Sequence, residues 1–155
     1  MIEILDKTDM AILRELQRDG RLTTLELARR VNLSATPCAT RVKRLENTGH
    51  ITGYRALLSP HLIKRGLLVF IQVKLRNTDE AALNAFNVAM KDISDVLECH
   101  MVGGGFDYLL KLRVADMADY RVFLGGVLGE MPSVEGTHTY FVMEEVKETT
   151  VLPLD

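Results

Sequence analysis

The spacing of apolar residues changes along this 155-residue chain, and that change constrains its fold more than any other feature. Up to Gly49 the apolar residues recur every three or four positions, as in amphipathic helices. Beyond it, strand-like segments appear, and Ser59 and Pro60 interrupt the pattern. We therefore predict an α+β protein with two domains, residues 1–60 and residues 61–155.

The first domain is predicted to contain three helices. Asp6 is a suitable N-cap for the first helix, Thr23 or Thr24 for the second, and Ser34 for the third. Residues 32–34 form a three-residue turn between the second and third helices. Two short helices joined by a tight turn, the second of them basic, match a helix-turn-helix. Period-two spacing over residues 51–57 predicts a strand that links this domain to the next.

Charge is distributed unevenly along the chain. Residues 1–60 carry 10 Lys and Arg against 7 Asp and Glu, whereas residues 61–155 carry 9 against 14. A basic half is expected of a phosphate-binding module, although an ordinary solvated surface gives the same pattern.

The third helix is predicted to bury Cys38, Val42 and Leu45, which recur with helical spacing. Its opposite face is then small or cationic, which suits close approach to base edges and phosphates. The predicted DNA contacts are Ser34, Thr36, Pro37, Thr40, Arg41, Lys43 and Arg44. Helix-turn-helix patterns also arise by chance in helical proteins, so the pattern alone leaves that alternative open.

The second domain is predicted to follow a β-α-β-β-α-β order, the ferredoxin-like arrangement. The helices are predicted at residues 80–91 and after Asp116, which caps the second one. The predicted strands cover residues 67–75, 96–102, 108–114 and 134–143.

Three consecutive glycines, Gly103 to Gly105, lie between the second and third predicted strands. A phosphate-binding loop is not indicated, because no Gly-Lys-Ser/Thr follows and the next element is a strand. A hairpin turn is the simplest interpretation. Alternatively, the bare backbone amides hold a ligand carboxylate while Asp107 holds an ammonium group, as a free amino acid requires. A solvated turn aspartate is the commoner case.

Neither a catalytic nor a metal site is predicted. The four histidines lie on separate elements without metal-ligand spacing, and no nucleophile–base pair is visible. Cys38 and Cys99 are far apart in sequence, which favours a reducing cytoplasm without a disulfide or structural zinc. The longest strongly apolar run, residues 67–71, is too short to span a membrane.

Several motifs together resemble the leucine-responsive regulatory protein (Lrp)/AsnC family of transcription regulators, and its leucine-responsive branch most closely. In the first half these are LSATPC at 33–38, RVKRLE at 41–46 and GHITGY at 49–54. In the second half they are ECH at 98–100, GFDYLLK at 105–111, VADM at 114–117 and YFVMEEVK at 140–147.

The resemblance implies a winged or extended helix-turn-helix joined by a strand linker to a βαββαβ domain called RAM (regulation of amino acid metabolism). It also implies dimers formed through the sheets, which assemble into tetramers, octamers or larger discs on double-stranded DNA, in the cytoplasm and associated with the nucleoid. No cofactor is implied, only an amino-acid effector bound between dimers near the glycine turn. The implied ligand-binding residues are Met101, Gly103, Gly104, Gly105, Asp107, Tyr108, Met117 and Tyr140.

The effector's identity remains open. Gly105 occupies a position that is usually acidic in the leucine-responsive proteins. Leucine is favoured, with methionine, another branched-chain amino acid or proline as alternatives. The expected function is therefore sequence-specific transcription regulation modulated by an amino acid. The alternatives are an architectural DNA-binding protein that needs no ligand, and a small ferredoxin-like enzyme.

Overall fold

The computed structural model describes residues 4–154, so the outermost ends of the two predicted domains, residues 1–3 and 155, lie outside the described residues. The chain divides into two compact units: one combines Met1–Leu57 with Lys147–Asp155, and the other is Leu58–Val146. Residues 147–155, which the sequence places in the second domain, thus group with the helical unit. The reason is that Arg14 and Gln17 hydrogen-bond the backbone of Leu154 and Leu152.

The first unit contains three helices: α1 (Lys7–Arg18), α2 (Thr24–Arg30) and α3 (Ala35–Asn47). Their apolar faces meet in one core, whose buried members are Ile12, Leu27, Ala28, Val31, Cys38 and Leu45. The turn before α3 passes through Asn32, whose positive φ of 56° suits an asparagine. The predicted helix-turn-helix is therefore formed.

The helix caps follow the predicted positions. Asp6 caps α1 and Thr23 caps α2, each through a reciprocal capping box with the residue three positions on. Ser34 is the N-cap of α3 by position, but its side chain makes no capping hydrogen bond. The sequence predicts its place and not its bonding.

The predicted linker strand is wrong, because residues 51–57 contain no strand. A strand needs a hydrogen-bonded partner, and the single chain supplies none for this segment. The segment begins against the helical unit, where the Tyr54 hydroxyl donates a 3.0 Å hydrogen bond to Glu46. A Cβ on Gly20 would lie 3.1 Å from the Tyr54 ring, so a glycine there permits this contact.

The second unit has the predicted βαββαβ order: β1 (Leu67–Leu75), α4 (Glu80–Lys91), β2 (Val96–Met101), β3 (Tyr108–Val114), α5 (Met117–Phe123), which continues into a π-helical turn (Leu124–Leu128), and β4 (Val134–Phe141). The four strands form one sheet in the order β2-β3-β1-β4, and every neighbouring pair is antiparallel. Two strands end slightly before their predicted limits, β2 at Met101 and β4 at Phe141.

The helices pack on one face of this sheet. Val69, Ile71 and Val73 of β1 face them and are completely buried, together with Phe86 of α4 and Phe123 of α5. Phe70 and Tyr140 face the other way and keep part of their surface exposed, since α4 and α5 both pack on the first face. Among residues 4–154 we find no helix whose length and apolar character would let it cross a membrane.

Candidate nucleic-acid interface and effector site

One face of α3 lies in the core and the other in solvent. Cys38 and Leu45 are buried, and Val42 packs against the same core. The predicted DNA contacts that lie fully exposed are Ser34, Thr36, Pro37, Thr40 and Lys43. The exposed face therefore carries mostly short side chains, together with the long cationic side chain of Lys43.

The first turn of α3 is built for close approach. Pro37 is the third helical residue, where the absent N–H breaks no helical hydrogen bond. The Thr40 hydroxyl donates to the carbonyl of Thr36 over 3.0 Å, which fixes its rotamer against the helix. Ser34 is exposed, and its hydroxyl makes no capping hydrogen bond at the start of α3.

Arg41 and Arg44 lie differently from the other predicted DNA contacts. Arg41 Nη1 is 2.6 Å from Asp6 Oδ2 and 2.8 Å from Asp9 Oδ1, and Arg44 Nη2 is 2.6 Å from Asp9 Oδ2. Both arginines therefore end on the first turn of α1, with side chains only 32% and 37% exposed. Arg41, which the sequence predicts as a DNA contact, is bound by two carboxylates of its own chain in this structure.

Asp9 is the centre of this cluster, with a side chain only 1% exposed. Burial would raise its pKa, but hydrogen bonds from Arg44, from Arg41 and from the Asp6 backbone outweigh burial and lower the pKa to about 2. Sequence reasoning missed this group. Its signal was spacing, since Asp9 precedes Ile12 and Leu16 at core-facing helical intervals.

The turn between β2 and β3 presents bare backbone. A Cβ added to Gly103, Gly104 or Gly105 would meet nothing within 4 Å, so open space surrounds the turn. The Val102 N–H donates to the Asp107 carbonyl over 3.0 Å and closes it. The turn therefore leaves its amides accessible to an outside group.

Asp107 already holds protein groups. Its Oδ2 accepts a 2.7 Å hydrogen bond from the Leu75 backbone N–H, and its Oδ1 lies 3.3 Å from Lys74 Nζ. The interpretation of a solvated turn aspartate is wrong, because this side chain ties the end of β1 to the start of β3. Any ligand ammonium would share the carboxylate with these two donors.

Tyr108 does not present its side chain to the turn. The ring is 1% exposed and lies 4.5 Å from the ring of Phe86, within the core under α4. Burial raises the pKa of its hydroxyl. The position alternates into the core, so a ligand at the surface meets the backbone of Tyr108 and not its ring.

The remaining predicted ligand-binding residues, Met101, Met117 and Tyr140, are each about half exposed, but the fold separates them. Met101 pairs with Tyr108 beside the glycine turn, whereas Met117 follows the opposite end of β3, about 20 Å along the strand. Tyr140 pairs with Phe70 on the far edge strand β4, on the sheet face without helices. One chain therefore does not gather the predicted set into one site.

No metal centre accompanies these features. Within the described part of the chain, His, Cys, Asp and Glu side chains form no group of three that could hold a metal ion. Cys38 is buried in the helical unit, Cys99 is partly buried in the sheet unit, and both are free thiols.

Family models match both units. A model described as the Lrp/AsnC ligand binding domain matches residues 68–152, and one described as a winged helix-turn-helix DNA-binding domain matches residues 5–52. The glycine turn and Asp107 fall within the first match, and α1 to α3 within the second.

Two leucine-responsive regulatory proteins are similar to this chain over nearly its whole length. The leucine-responsive regulatory protein of Haemophilus influenzae is 51% identical over 97% of this chain and 90% of its own length. That of Escherichia coli K12 is 50% identical over 96% of this chain and 90% of its own. Both are regulators, which sets aside the alternative of a small ferredoxin-like enzyme.

Solved structures agree in fold. A transcriptional regulator from Neisseria meningitidis, solved as a complex with L-methionine, has a TM-score of 0.93 and 41% identity over 98% of both chains. An AsnC family transcriptional regulator from Agrobacterium tumefaciens has a TM-score of 0.92 and 33% identity over 97% of both chains.

Proposed function

Because the chain belongs to the Lrp/AsnC family of DNA-binding transcription regulators with an amino-acid-binding domain, we propose that leucine is its effector and that α3 reads DNA. One observation supports this most. The exposed face of α3 carries small side chains and lies in the unit that matches the DNA-binding model, while the open glycine turn lies in the unit that matches the ligand-binding model.

The proposed DNA interface is the exposed side of α3. The small side chains of Ser34, Thr36, Pro37 and Thr40 let the helix approach base edges in the major groove. Lys43 neutralises phosphate as an unshielded cation. Arg41 and Arg44 add the positive charge and the N–H donors of their guanidinium groups, each of which carries five donors.

Leucine is the first candidate effector, because two leucine-responsive regulatory proteins are about 50% identical to this chain over nearly its whole length. Methionine is the second, since the N. meningitidis regulator was solved with L-methionine. Other branched-chain amino acids and proline are weaker candidates. The turn amides of residues 103–105 would hold the effector's carboxylate and Asp107 its ammonium.

Self-association is the third part of the proposal. The sheet face that carries Phe70 and Tyr140 lies opposite α4 and α5, which suits a second copy of the chain. A complete effector site also needs a second copy, because one chain separates Met117 and Tyr140 from the glycine turn. We propose a dimer through this face and tetramers or octamers built from dimers, acting in the cytoplasm on the nucleoid.

Calorimetry of the full chain against each of the twenty amino acids tests the effector. Heat of binding with leucine is the expected result, and binding of methionine alone would reassign the effector. No binding of any amino acid would favour the alternative of an architectural DNA-binding protein. Sedimentation with and without the bound amino acid measures the assembly, and a strictly monomeric chain would contradict the proposed shared site.

DNA binding is tested by fluorescence anisotropy with a labelled duplex over a range of salt concentrations. Lys43→Ala should weaken DNA binding. It should also reduce the magnitude of the slope of log K against log salt by about one, as expected for the loss of one phosphate contact. Lys7→Ala, which removes an equally exposed lysine at the start of α1, is the matched control. Equal effects of the two substitutions would contradict an interface centred on α3.

A further inference from the structure

The two arginines of α3 share anchors on α1, and this arrangement is unusual for residues offered to DNA. Arg41 and Arg44 stand three positions apart, on one side of α3. Asp9 gives one carboxylate oxygen to each of them, at 2.8 Å and 2.6 Å. One buried carboxylate therefore contacts both guanidinium groups and constrains their separation.

Asp6 plays a different part because it is accessible. Its side chain is 51% exposed, and its Oδ2 lies 2.6 Å from the same Arg41 Nη1 that contacts Asp9. Its other oxygen accepts the Asp9 backbone N–H over 2.8 Å as the N-cap of α1. The exposed Asp6 carboxylate therefore occupies a position on Arg41 of α3 that a phosphate oxygen would otherwise take.

We propose that Asp9 is a positioning residue for DNA binding and that Asp6 competes with DNA phosphate for Arg41. This inference rests on the proposed DNA interface on α3. Two carboxylates neutralise the charge of two guanidinium groups in the free protein, so non-specific attraction to DNA is limited. Specific binding uses the guanidinium groups of Arg41 and Arg44 in the orientation that Asp9 gives them.

The two acids predict opposite effects. Asp6→Asn keeps a good N-cap and removes the competing charge, so binding should tighten. Because the pair is exposed, the gain should be about two- to fivefold at low salt and should fade as salt is raised. Asp9→Asn keeps the shape of the side chain but removes the charge that orients both guanidinium groups, so specific binding should weaken while non-specific binding strengthens.

The experiment uses the full chain and two labelled duplexes, one selected by the wild type from a random-sequence pool and one of scrambled sequence. We expect Asp6→Asn to tighten binding to both duplexes. We expect Asp9→Asn to lower the ratio of specific to non-specific affinity by about tenfold or more. Asp19→Asn, the same charge change on an exposed residue of the same unit, is the control and should alter neither affinity.

A double substitution identifies the partner. The gain from Asp6→Asn should disappear when Arg41 is replaced by glutamine, and a gain that persists would overturn the role given to Asp6. Circular dichroism establishes that each variant is folded. If Asp9→Asn fails to fold, the Asp6 and Arg41 variants still decide whether carboxylate and phosphate compete.

The outcomes separate this inference from the proposed function. A wild type that binds neither duplex contradicts the DNA interface itself. A wild type that binds DNA, with Asp6→Asn indistinguishable from Asp19→Asn, overturns the competition alone. An Asp9→Asn variant that is folded and retains the wild-type ratio of specific to non-specific affinity overturns the positioning role.

Discussion

The carboxylate of Asp107, just after the glycine turn, accepts a 2.7 Å hydrogen bond from the backbone N–H of Leu75 at the end of β1. The same carboxylate lies 3.3 Å from Lys74 Nζ. The turn that we propose as the effector site is thus fastened to the neighbouring strand by the residue that would hold the effector's ammonium group. Effector binding and the local stability of β1 share one side chain.

Two substitutions at Asp107 should separate these roles. Asp107→Ala leaves the Leu75 N–H without a partner and should lower the free energy of unfolding by about 1–3 kcal/mol. Asp107→Asn keeps an oxygen for that N–H and should cost less. Both remove the negative charge, so both should weaken leucine binding about tenfold or more. Thermal unfolding and calorimetry measure the two effects.

Asp119→Asn is the control for that pair, since Asp119 is exposed on α5 and leaves the turn untouched. Equal losses of stability for Asp107→Ala and Asp107→Asn would show that the Leu75 bond contributes little. Wild-type leucine affinity in Asp107→Asn would remove Asp107 from the proposed effector site.

The sequence predicts the regular elements well where the signal is local. The bounds of β1, β3 and α4 match the predicted ranges because alternation, caps and breakers act within a few residues. The strand predicted at residues 51–57 is wrong because alternating residues alone do not make a strand. A strand also needs a hydrogen-bonded partner, which local sequence does not reveal. Residues 147–155 carry no periodic pattern, so their place beside α1 could not be anticipated.

The candidate sites were predictable in position and less so in contacts. The exposed face of α3 follows from helical spacing alone. The engagement of Arg41 by Asp6 and Asp9 requires the packing of α1 against α3, which no local pattern encodes. Likewise, the hydrogen bond from Leu75 to Asp107 depends on the register of β1 against β3. The burial of Tyr108 depends on which face of the sheet α4 packs against.

Gln17 should hold the C-terminal segment in place. Its Oε1 accepts the Leu152 backbone N–H at 2.8 Å and its Nε2 donates to the Leu152 carbonyl at 3.1 Å. Gln17→Ala should release this segment. The free energy of unfolding should fall by about 1 kcal/mol, and the Leu152 amide should exchange its hydrogen rapidly. Hydrogen exchange with mass spectrometry measures it. Arg18→Ala, on the exposed side of the same helix, should leave that amide protected, and protection that survives in Gln17→Ala would contradict the assignment.

Acid should destabilise the helical unit through Asp9. Its folded pKa of about 2 lies below the usual aspartate value of 3.8, so the stability it contributes is complete above the unfolded pKa and is lost as pH falls toward 2. The contribution corresponds to about 2 kcal/mol for a shift of this size. Chemical unfolding followed by circular dichroism between pH 5 and pH 2 should show this loss, and Asp9→Asn should show less pH dependence. An identical dependence in both proteins would contradict the shifted pKa.

A partly buried hydroxyl pair should link α5 to β4. Tyr120 Oη lies 2.5 Å from Thr139 Oγ1, and Tyr120 is a buried member of the sheet-unit core. Thr139→Val keeps the side-chain shape but leaves the tyrosine hydroxyl without that partner, and should cost about 1–3 kcal/mol.

Adding Tyr120→Phe to Thr139→Val should restore much of the loss, because the double variant leaves no unpaired hydroxyl at this contact. Thr137→Val, two residues earlier on the same side of β4, is exposed and should change stability little. Urea unfolding of the wild type, Thr139→Val, Tyr120→Phe and the double variant gives the coupling energy between the two hydroxyl groups. A coupling energy near zero would mean that packing alone, and not this hydrogen bond, holds α5 against β4.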